Sequence, residues 1–149
     1  MGLRFRDQEY GFCFFVTTSF HEHRRLGDVT GVYEALADSL RYYLDKYKAL
    51  LPAYVFMPTH IHLLLVVDGD RLGPFMRDFR KYVAQKSIQD CSFVAPPVWQ
   101  SRFDRVVVEN ESVFRQKLQY IHQNPAKAGI VKTSEAWNWS SARAYVEEA

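Results

Sequence analysis

Residues 60–67, His-Ile-His-Leu-Leu-Leu-Val-Val, decide the fold of this 149-residue chain. This short apolar run, which ends in β-branched residues, predicts a β-strand. Because side chains alternate along a strand, one side presents only aliphatic residues, and the other carries the two histidines followed by Leu64 and Val66. Both sides of the strand are therefore largely apolar, and each needs a cover from elsewhere in the chain.

The elements around this strand follow the order strand, helix, strand, strand, helix, strand, helix. Residue patterns predict three further strands, over 11–18, 50–56 and 99–108. They predict a helix over 30–48 that Asp28 or Thr30 caps, and a second helix from Leu72 with Pro74 in its first turn. A third helix is predicted over 111–124, where Asn110 caps its start and Pro125 ends it. This order predicts an α+β fold, a ferredoxin-like antiparallel sheet with helices on one face. The additional helix over 111–124 is the element available to cover the histidine side of the sheet.

Composition limits the class of protein. Hydrophobic residues make up 48% of the chain and charged residues 24%, which excludes a disordered chain and allows one sizeable core in a single domain, 1–149. Cys13 and Cys91 stand apart, as expected for reduced cysteines. Residues 1–10 are charged where a signal peptide is apolar, and no run of about 18 apolar residues occurs. We expect a cytoplasmic protein with no membrane partner.

Net positive charge is confined to the middle and later parts of the chain, because acidic side chains outnumber basic ones over residues 1–70. Residues 71–105 carry seven basic and three acidic side chains, and residues 113–132 carry four basic side chains and no acidic one. Such a local concentration suits a binding site for a polyanion, although two solvated helix faces would show the same pattern.

Two histidines share one side of the central strand. His60 and His62 are two residues apart, so their imidazoles point to the same face, about 6.6–6.8 Å apart along the chain. Such a pair can converge on one metal ion, but isolated pairs also arise by chance. A second pair, His21 and His23, falls in a predicted loop and is a weaker candidate.

A tyrosine lies at the edge of the apolar stripe of the 111–124 helix. Tyr120 shares this edge with Asn124, one helical turn later, and with Lys117, whereas His122 falls on the opposite flank. A tyrosine at such an edge is commonly a packing residue whose hydroxyl stays in water. The spacing alone does not assign it a catalytic role.

Three segments together carry a resemblance to a known family. They are 55–65 (Val-Phe-Met-Pro-Thr-His-Ile-His-Leu-Leu-Leu), 120–131 (Tyr-Ile-His-Gln-Asn-Pro-Ala-Lys-Ala-Gly-Ile-Val) and 137–141 (Trp-Asn-Trp-Ser-Ser). The chain resembles the small single-tyrosine HUH transposases, named for the motif His, hydrophobic residue, His, and is most similar to the REP-associated tyrosine transposases among these small insertion-sequence-type enzymes. Thr59 stands where the family commonly has Asn, and Gln123 replaces the Lys found in many replication initiators.

The resemblance implies a function and a set of site residues. It implies metal-dependent cleavage and rejoining of single-stranded, hairpin-forming DNA through a 5′-phosphotyrosine, with Tyr120 as nucleophile. It also implies that His60, His62 and Asn124 are ligands of a divalent ion, Mg²⁺ or Mn²⁺. The basic residues that we expect to contact DNA are Arg80, Lys81, Arg102, Arg105 and Lys117.

Two other functions remain open at this stage. A domesticated protein that binds DNA palindromes without productive transposition would keep the same fold. A ferredoxin-like RNA-binding module is less favoured, because neither central strand contains the Gly-aromatic pattern of such modules. A homodimer is possible and a monomer is not excluded, so the tyrosine could serve its own site or that of a partner.

Overall fold

One antiparallel sheet, four α-helices and three single-turn 3₁₀ helices make up the regular structure of residues 12–148, the part of the chain that the computed structural model describes. The strands are β1 (Phe12–Ser19), β2 (Leu50–Phe56), β3 (His60–Val67) and β4 (Asp104–Val107). The helices are α1 (Val32–Lys46), α2 (Gly69–Asp90), α3 (Glu111–Lys127) and α4 (Ala142–Glu148). The strand order β2-β3-β1-β4, antiparallel throughout, confirms the predicted ferredoxin-like α+β arrangement.

The main core lies on the face of the sheet that α1 and α2 cover. Ile61, Leu63 and Leu65 of β3 are fully buried there. The helices contribute an apolar set that includes Leu36, Leu40, Leu72, Phe75, Met76, Phe79 and Val83. These residues repeat every three to four positions, so the periodicity that predicted the helices also identified their buried sides.

A smaller apolar layer on the opposite face holds α3. Ile121 is fully buried in it, and Phe114 and Leu118 pack alongside. Their partners on the sheet include Phe15 and Leu64. The prediction that this helix covers the histidine side is confirmed.

The ends of α3 show one correct and one wrong prediction. Asn110 caps the helix, its side-chain oxygen accepting a hydrogen bond from the Val113 amide at 2.9 Å. Pro125 does not end it, because α3 continues to Lys127. A proline removes only the hydrogen-bond donor of its own residue, so the helix can continue past it. The Pro125 ring is buried, and the amide of Ala128 donates to the Asn124 carbonyl at 3.0 Å, which closes the last turn.

Other predicted boundaries also need correction. α1 is capped by Gly31 in a left-handed conformation (φ 98°), not by Asp28 or Thr30, and α2 begins at Gly69, which places Pro74 in its second turn. β4 is much shorter than the predicted strand over 99–108. Trp99 still forms an isolated antiparallel bridge with Phe20, but residues 101–103 leave the sheet before β4 begins. The indole N–H of Trp99 donates to the Arg80 carbonyl at 2.9 Å, and its ring stacks on that of Phe20.

The segment after α3 runs back along β2 and ends in α4, which the sequence did not predict. The Trp137 indole N–H donates to the Phe56 carbonyl at 2.9 Å, and the Phe56 amide donates to the Trp139 carbonyl at 2.8 Å. Among the described residues, no helix is both long and apolar enough to cross a membrane. Residues 1–10, whose charge underlies the expected location, lie outside the described part of the chain.

Candidate active site

β3 brings the two predicted metal ligands to the α3 face of the sheet. The rings of His60 and His62 are 4.7 Å apart, centroid to centroid, at an interplanar angle of 74°. His62 is only 4% exposed, whereas His60 is half-buried at the start of the strand. The pair therefore lies where the apolar layer under α3 opens to the surface.

A threonine hydroxyl lies beside the Nδ1 atom of each ring. Thr17, the residue paired with His62 across β1 and β3, has its Oγ1 atom 2.9 Å from Nδ1 of His62. Thr59 Oγ1 lies 2.9 Å from Nδ1 of His60. With Nδ1–H donating to these hydroxyls, each Nε2 keeps its lone pair. Nε2 of His62 is buried and has no hydrogen-bond partner within residues 12–148.

Burial also keeps both rings neutral. Desolvation lowers the pKa of His62 to about 3, with smaller contributions from the charges of His60 and Lys117. Burial lowers the pKa of His60 as well, and the charge of His23 adds to that effect. Neutral imidazoles with free lone pairs are the form that binds metal ions.

Tyr120 of α3 lies against the buried histidine. Its ring centroid is 5.3 Å from that of His62, and the residue as a whole is 46% exposed to solvent. Phe15 of β1 stacks on His62 at 5.2 Å and meets Tyr120 edge-on at 5.9 Å. Phe15 therefore contacts both rings and fixes their relative position.

The two remaining α3 residues of the prediction have different surroundings. The Lys117 ammonium lies 4.7 Å from the centre of the Phe15 ring, inside the same cluster. Asn124 is half-buried one helical turn after Tyr120, and its side chain is hydrogen-bonded to neither histidine. Two neutral imidazoles and an amide fit a divalent ion that keeps open positions. No cluster of three or more His, Cys, Asp or Glu ligands occurs among the described residues.

The other basic residues are dispersed around one edge of the sheet. Arg80 is half-buried, donates to the Gln100 carbonyl and stacks 5.4 Å from the Trp99 ring, so its guanidinium serves mainly to hold that segment against α2. Lys81 and Arg102 are exposed. Arg105 is also exposed, but it pairs with Val16 and so lies on the face opposite His62.

Sequence reasoning missed the supporting residues of the cluster. Phe15 and Thr17 lie some 45 residues before the histidines, and only the register of β1 against β3 brings them together. Alternation within β1 places both on one face, which was the only signal available. Thr59 was noted solely as a departure from the family pattern. His23, judged a weak metal candidate, lies near enough to His60 to influence its pKa.

Comparisons with known proteins agree with this fold. No model of a known protein family matches the chain. A Haemophilus influenzae protein assigned as a REP-associated tyrosine transposase is 26% identical over 123 residues, which cover 71% of this chain and 70% of the relative. The REP-associated tyrosine transposase of Escherichia coli is 29% identical over 90 residues, 60% of this chain and about half of the relative (52%).

Two solved structures share the architecture. The structure of a REP-associated tyrosine transposase bound to a REP hairpin superposes with a TM-score of 0.80 at 23% identity, covering 99% of this chain and 86% of that one. A Deinococcus radiodurans protein assigned as a transposase gives a TM-score of 0.56 at 22% identity, over 81% and 95% of the two chains. In sequence the chain is therefore similar to REP-associated tyrosine transposases, and it shares the fold of one whose structure is solved.

Proposed function

We propose that this protein cleaves and rejoins one strand of hairpin-forming DNA in a reaction that depends on a divalent metal ion, with Tyr120 as the nucleophile. The observation that carries the proposal is the 5.3 Å approach of the Tyr120 ring to the ring of His62, whose Nε2 atom is buried without a partner among residues 12–148. The transposase names of the relatives and the REP hairpin in the structural neighbour support the choice of substrate.

The proposed reaction exchanges one phosphodiester for another. The phenolic oxygen of Tyr120 forms a bond to phosphorus, and the bond from phosphorus to the 3′-oxygen breaks. The phenol proton passes to solvent, and the departing oxygen takes up a proton to become a free 3′-hydroxyl. Because the energy of the broken bond is kept in the 5′-phosphotyrosine, a 3′-hydroxyl can attack that bond and rejoin the strand.

A phenol has a pKa near ~10 and is a poor nucleophile at neutral pH without help. His60, His62 and Asn124 would hold a divalent ion, Mg²⁺ or Mn²⁺, which when bound polarises the scissile phosphate and stabilises the leaving oxygen. Phe15 excludes water from one side of His62 and keeps the Tyr120 ring beside it.

Positive charge would bring the DNA backbone to this centre. The ammonium of Lys117 lies over Phe15, within the range at which its charge affects His62. Among the other expected DNA contacts, Lys81 and Arg102 are exposed and could neutralise phosphates, and Arg105 is exposed on the face of the sheet opposite His62. Arg80 is the least suited, because its guanidinium already bonds to the protein.

The decisive experiment replaces the tyrosine oxygen alone. Tyr120→Phe keeps the ring against His62 and Phe15, so the variant should fold and bind a hairpin oligonucleotide normally. With Mn²⁺ present it should form no covalent adduct, whereas Tyr82→Phe should form adduct as the wild type does. Peptide mapping should place the nucleotide on Tyr120 through its 5′-phosphate.

Three outcomes would contradict the proposal. They are an adduct that survives in Tyr120→Phe, a label on another residue, and a wild-type protein that binds the hairpin without forming any adduct. The last outcome would favour the alternative of a palindrome-binding protein without transposition.

Metal dependence can be separated from DNA binding. Chelation with EDTA, or replacement of His60 and His62 by alanine, should abolish cleavage. Much of the affinity for the hairpin should remain, because the exposed basic residues that would bind phosphates are separate from the histidines. Unchanged cleavage in the double variant at equal metal concentration would remove both histidines from the mechanism.

The structure supports action of the tyrosine within its own chain, because Tyr120 contacts His62 of the same molecule. A mixture of Tyr120→Phe with His62→Ala should therefore remain inactive. Recovery of adduct formation in the mixture would show that the tyrosine acts on a partner's site.

A further inference from the structure

His122 lies two residues after Tyr120 in α3 and makes a polar contact that the proposed reaction does not use. Its Nε2 atom is 2.7 Å from the hydroxyl oxygen of Ser141, in the segment that runs back along β2. His122 is half-buried, and the ring of Tyr145 in α4 meets it edge-on at 4.8 Å. The imidazole therefore joins α3 to the C-terminal segment on the flank of the helix opposite Tyr120.

Ser141 is itself fixed on the backbone of β2. Its hydroxyl oxygen accepts a hydrogen bond from the Tyr54 amide at 3.0 Å, and its own amide donates to the Tyr54 carbonyl at 3.1 Å. The preceding residue, Ser140, forms an isolated antiparallel bridge with Val55. Val55 is in turn the partner of His62 in the pairing of β2 with β3. The contact of Ser141 with α3 therefore ties this helix to the part of the sheet that carries the histidines.

Contacts on both flanks hold α3 on the sheet. The fully buried Ile121 packs between the flanks, and apolar contacts of this kind are not directional. On one flank, Tyr120 lies against the rings of Phe15 and His62. On the other flank, the hydrogen bond of His122 constrains both a distance and an angle. This hydrogen bond therefore resists rotation of α3 about its own axis more than apolar packing does.

A small rotation of α3 is enough to disturb the proposed reaction. Side chains end about 5–6 Å from the axis of a helix, so a rotation of about 10° displaces their outer atoms by roughly 1 Å. A nucleophile attacks from about 3–3.5 Å, and a misplacement of about 1 Å costs roughly 100-fold in rate. The orientation of α3 therefore has to be fixed closely for the oxygen of Tyr120 to react.

We propose that His122 is a positioning residue for Tyr120, and that its hydrogen bond to Ser141 fixes the rotation of α3 and thereby the place of the tyrosine oxygen beside His60 and His62. This inference rests on the proposed function, which makes Tyr120 the nucleophile. It gives the C-terminal segment a part in the reaction that is exerted through α3 and not on the reacting atoms.

The rate of adduct formation in a single turnover tests this role, with the protein in excess over a hairpin oligonucleotide and Mn²⁺ present. His122→Ala and Ser141→Ala should each lower the rate by about 10- to 100-fold. The Kd for the hairpin, measured in EDTA, should stay as in the wild type. His122→Gln should restore much of the rate, because its amide places a hydrogen-bonding group near the position of Nε2.

Two further variants separate positioning from stability. Ser39→Ala removes a buried hydrogen bond of 3.0 Å to the Phe79 carbonyl on the other face of the sheet and should leave the rate unchanged. The double variant with alanine at both His122 and Ser141 should react no more slowly than either single variant, because the two residues act through one contact. Urea unfolding checks that each variant is folded, and Ser141→Ala carries the test if His122→Ala does not fold.

Three results would overturn the inference: a wild-type rate in the folded alanine variants, an equal loss of rate in Ser39→Ala, and a loss confined to the affinity for the hairpin. In each case a normal adduct on Tyr120 in the wild type leaves the proposed function standing. A wild-type protein that forms no adduct contradicts the proposed function, and this inference with it.

Discussion

Replacing Thr17 by valine should weaken metal binding and also lower the stability of the fold by a similar free energy. Valine has nearly the shape of threonine, so packing within β1 is kept and only the hydroxyl near Nδ1 of His62 is lost. That hydroxyl fixes the ring orientation and determines which nitrogen carries the proton.

Two magnitudes follow from this contact. Loss of the hydroxyl leaves a buried Nδ1 atom without its partner, which costs about 1–3 kcal/mol of folding free energy. Loss of a hydrogen bond that orients a ligand costs roughly 10- to 100-fold in metal affinity. Titration of the DNA-free protein with Mn²⁺ by calorimetry measures the affinity, and urea unfolding without metal measures the stability.

Two matched variants give this experiment its controls. Thr17→Ser keeps a hydroxyl and should bind Mn²⁺ nearly as the wild type does. Thr18→Val, at the next residue, removes a buried hydroxyl that has no partner within residues 12–148. This change should leave Mn²⁺ affinity unaltered and should not destabilise the fold. A folded Thr17→Val protein with wild-type affinity for Mn²⁺ would refute the reasoning.

Three further predictions concern the elements that carry the site. Ile121→Ala, which empties a fully buried position under α3, should cost about 2–5 kcal/mol in the free energy of unfolding by urea. Asn110→Ala removes the cap on the Val113 amide and should cost about 0.5–2 kcal/mol in the same assay. Burial raises the pKa of Cys13 to about 12, so its thiol stays protonated at pH 8. Iodoacetamide should therefore label the partly exposed Cys91 before Cys13, and equal labelling of the two cysteines in the native protein would contradict this.

The layers of the fold could be predicted because β3 is apolar on both sides. A strand of this kind needs apolar residues packed on both of its sides, and α3 was the only predicted helix left to pack on the histidine side. The same argument oriented α3, since Ile121 had to face the sheet, and it placed His122 on the other flank. In the structure, His122 is indeed turned away from Tyr120, with Nε2 2.7 Å from the Ser141 hydroxyl.

The parts that could not be predicted depend on contacts between distant segments. Phe15 meets His62 only because β1 and β3 pair in one particular register, which no local pattern determines. Arg80 looked like the other basic residues of α2 in sequence, yet Trp99 and the Gln100 carbonyl occupy its guanidinium. A count of charges finds a basic region but does not separate arginines that hold the protein together from those left free for a ligand.

The burial of His62 lowers the stability of the fold but suits the proposed role of this residue as a metal ligand. An imidazole that is 4% exposed, with a buried Nε2 atom lacking a partner within residues 12–148, is a liability for stability, and a leucine such as the neighbouring Leu64 would pack there without that cost. The same burial keeps the ring neutral and, through Phe15 and Thr17, holds it in one orientation. The features that make His62 unfavourable as a core residue are thus the ones that a metal ligand requires, which argues that this position serves the chemistry and not the packing.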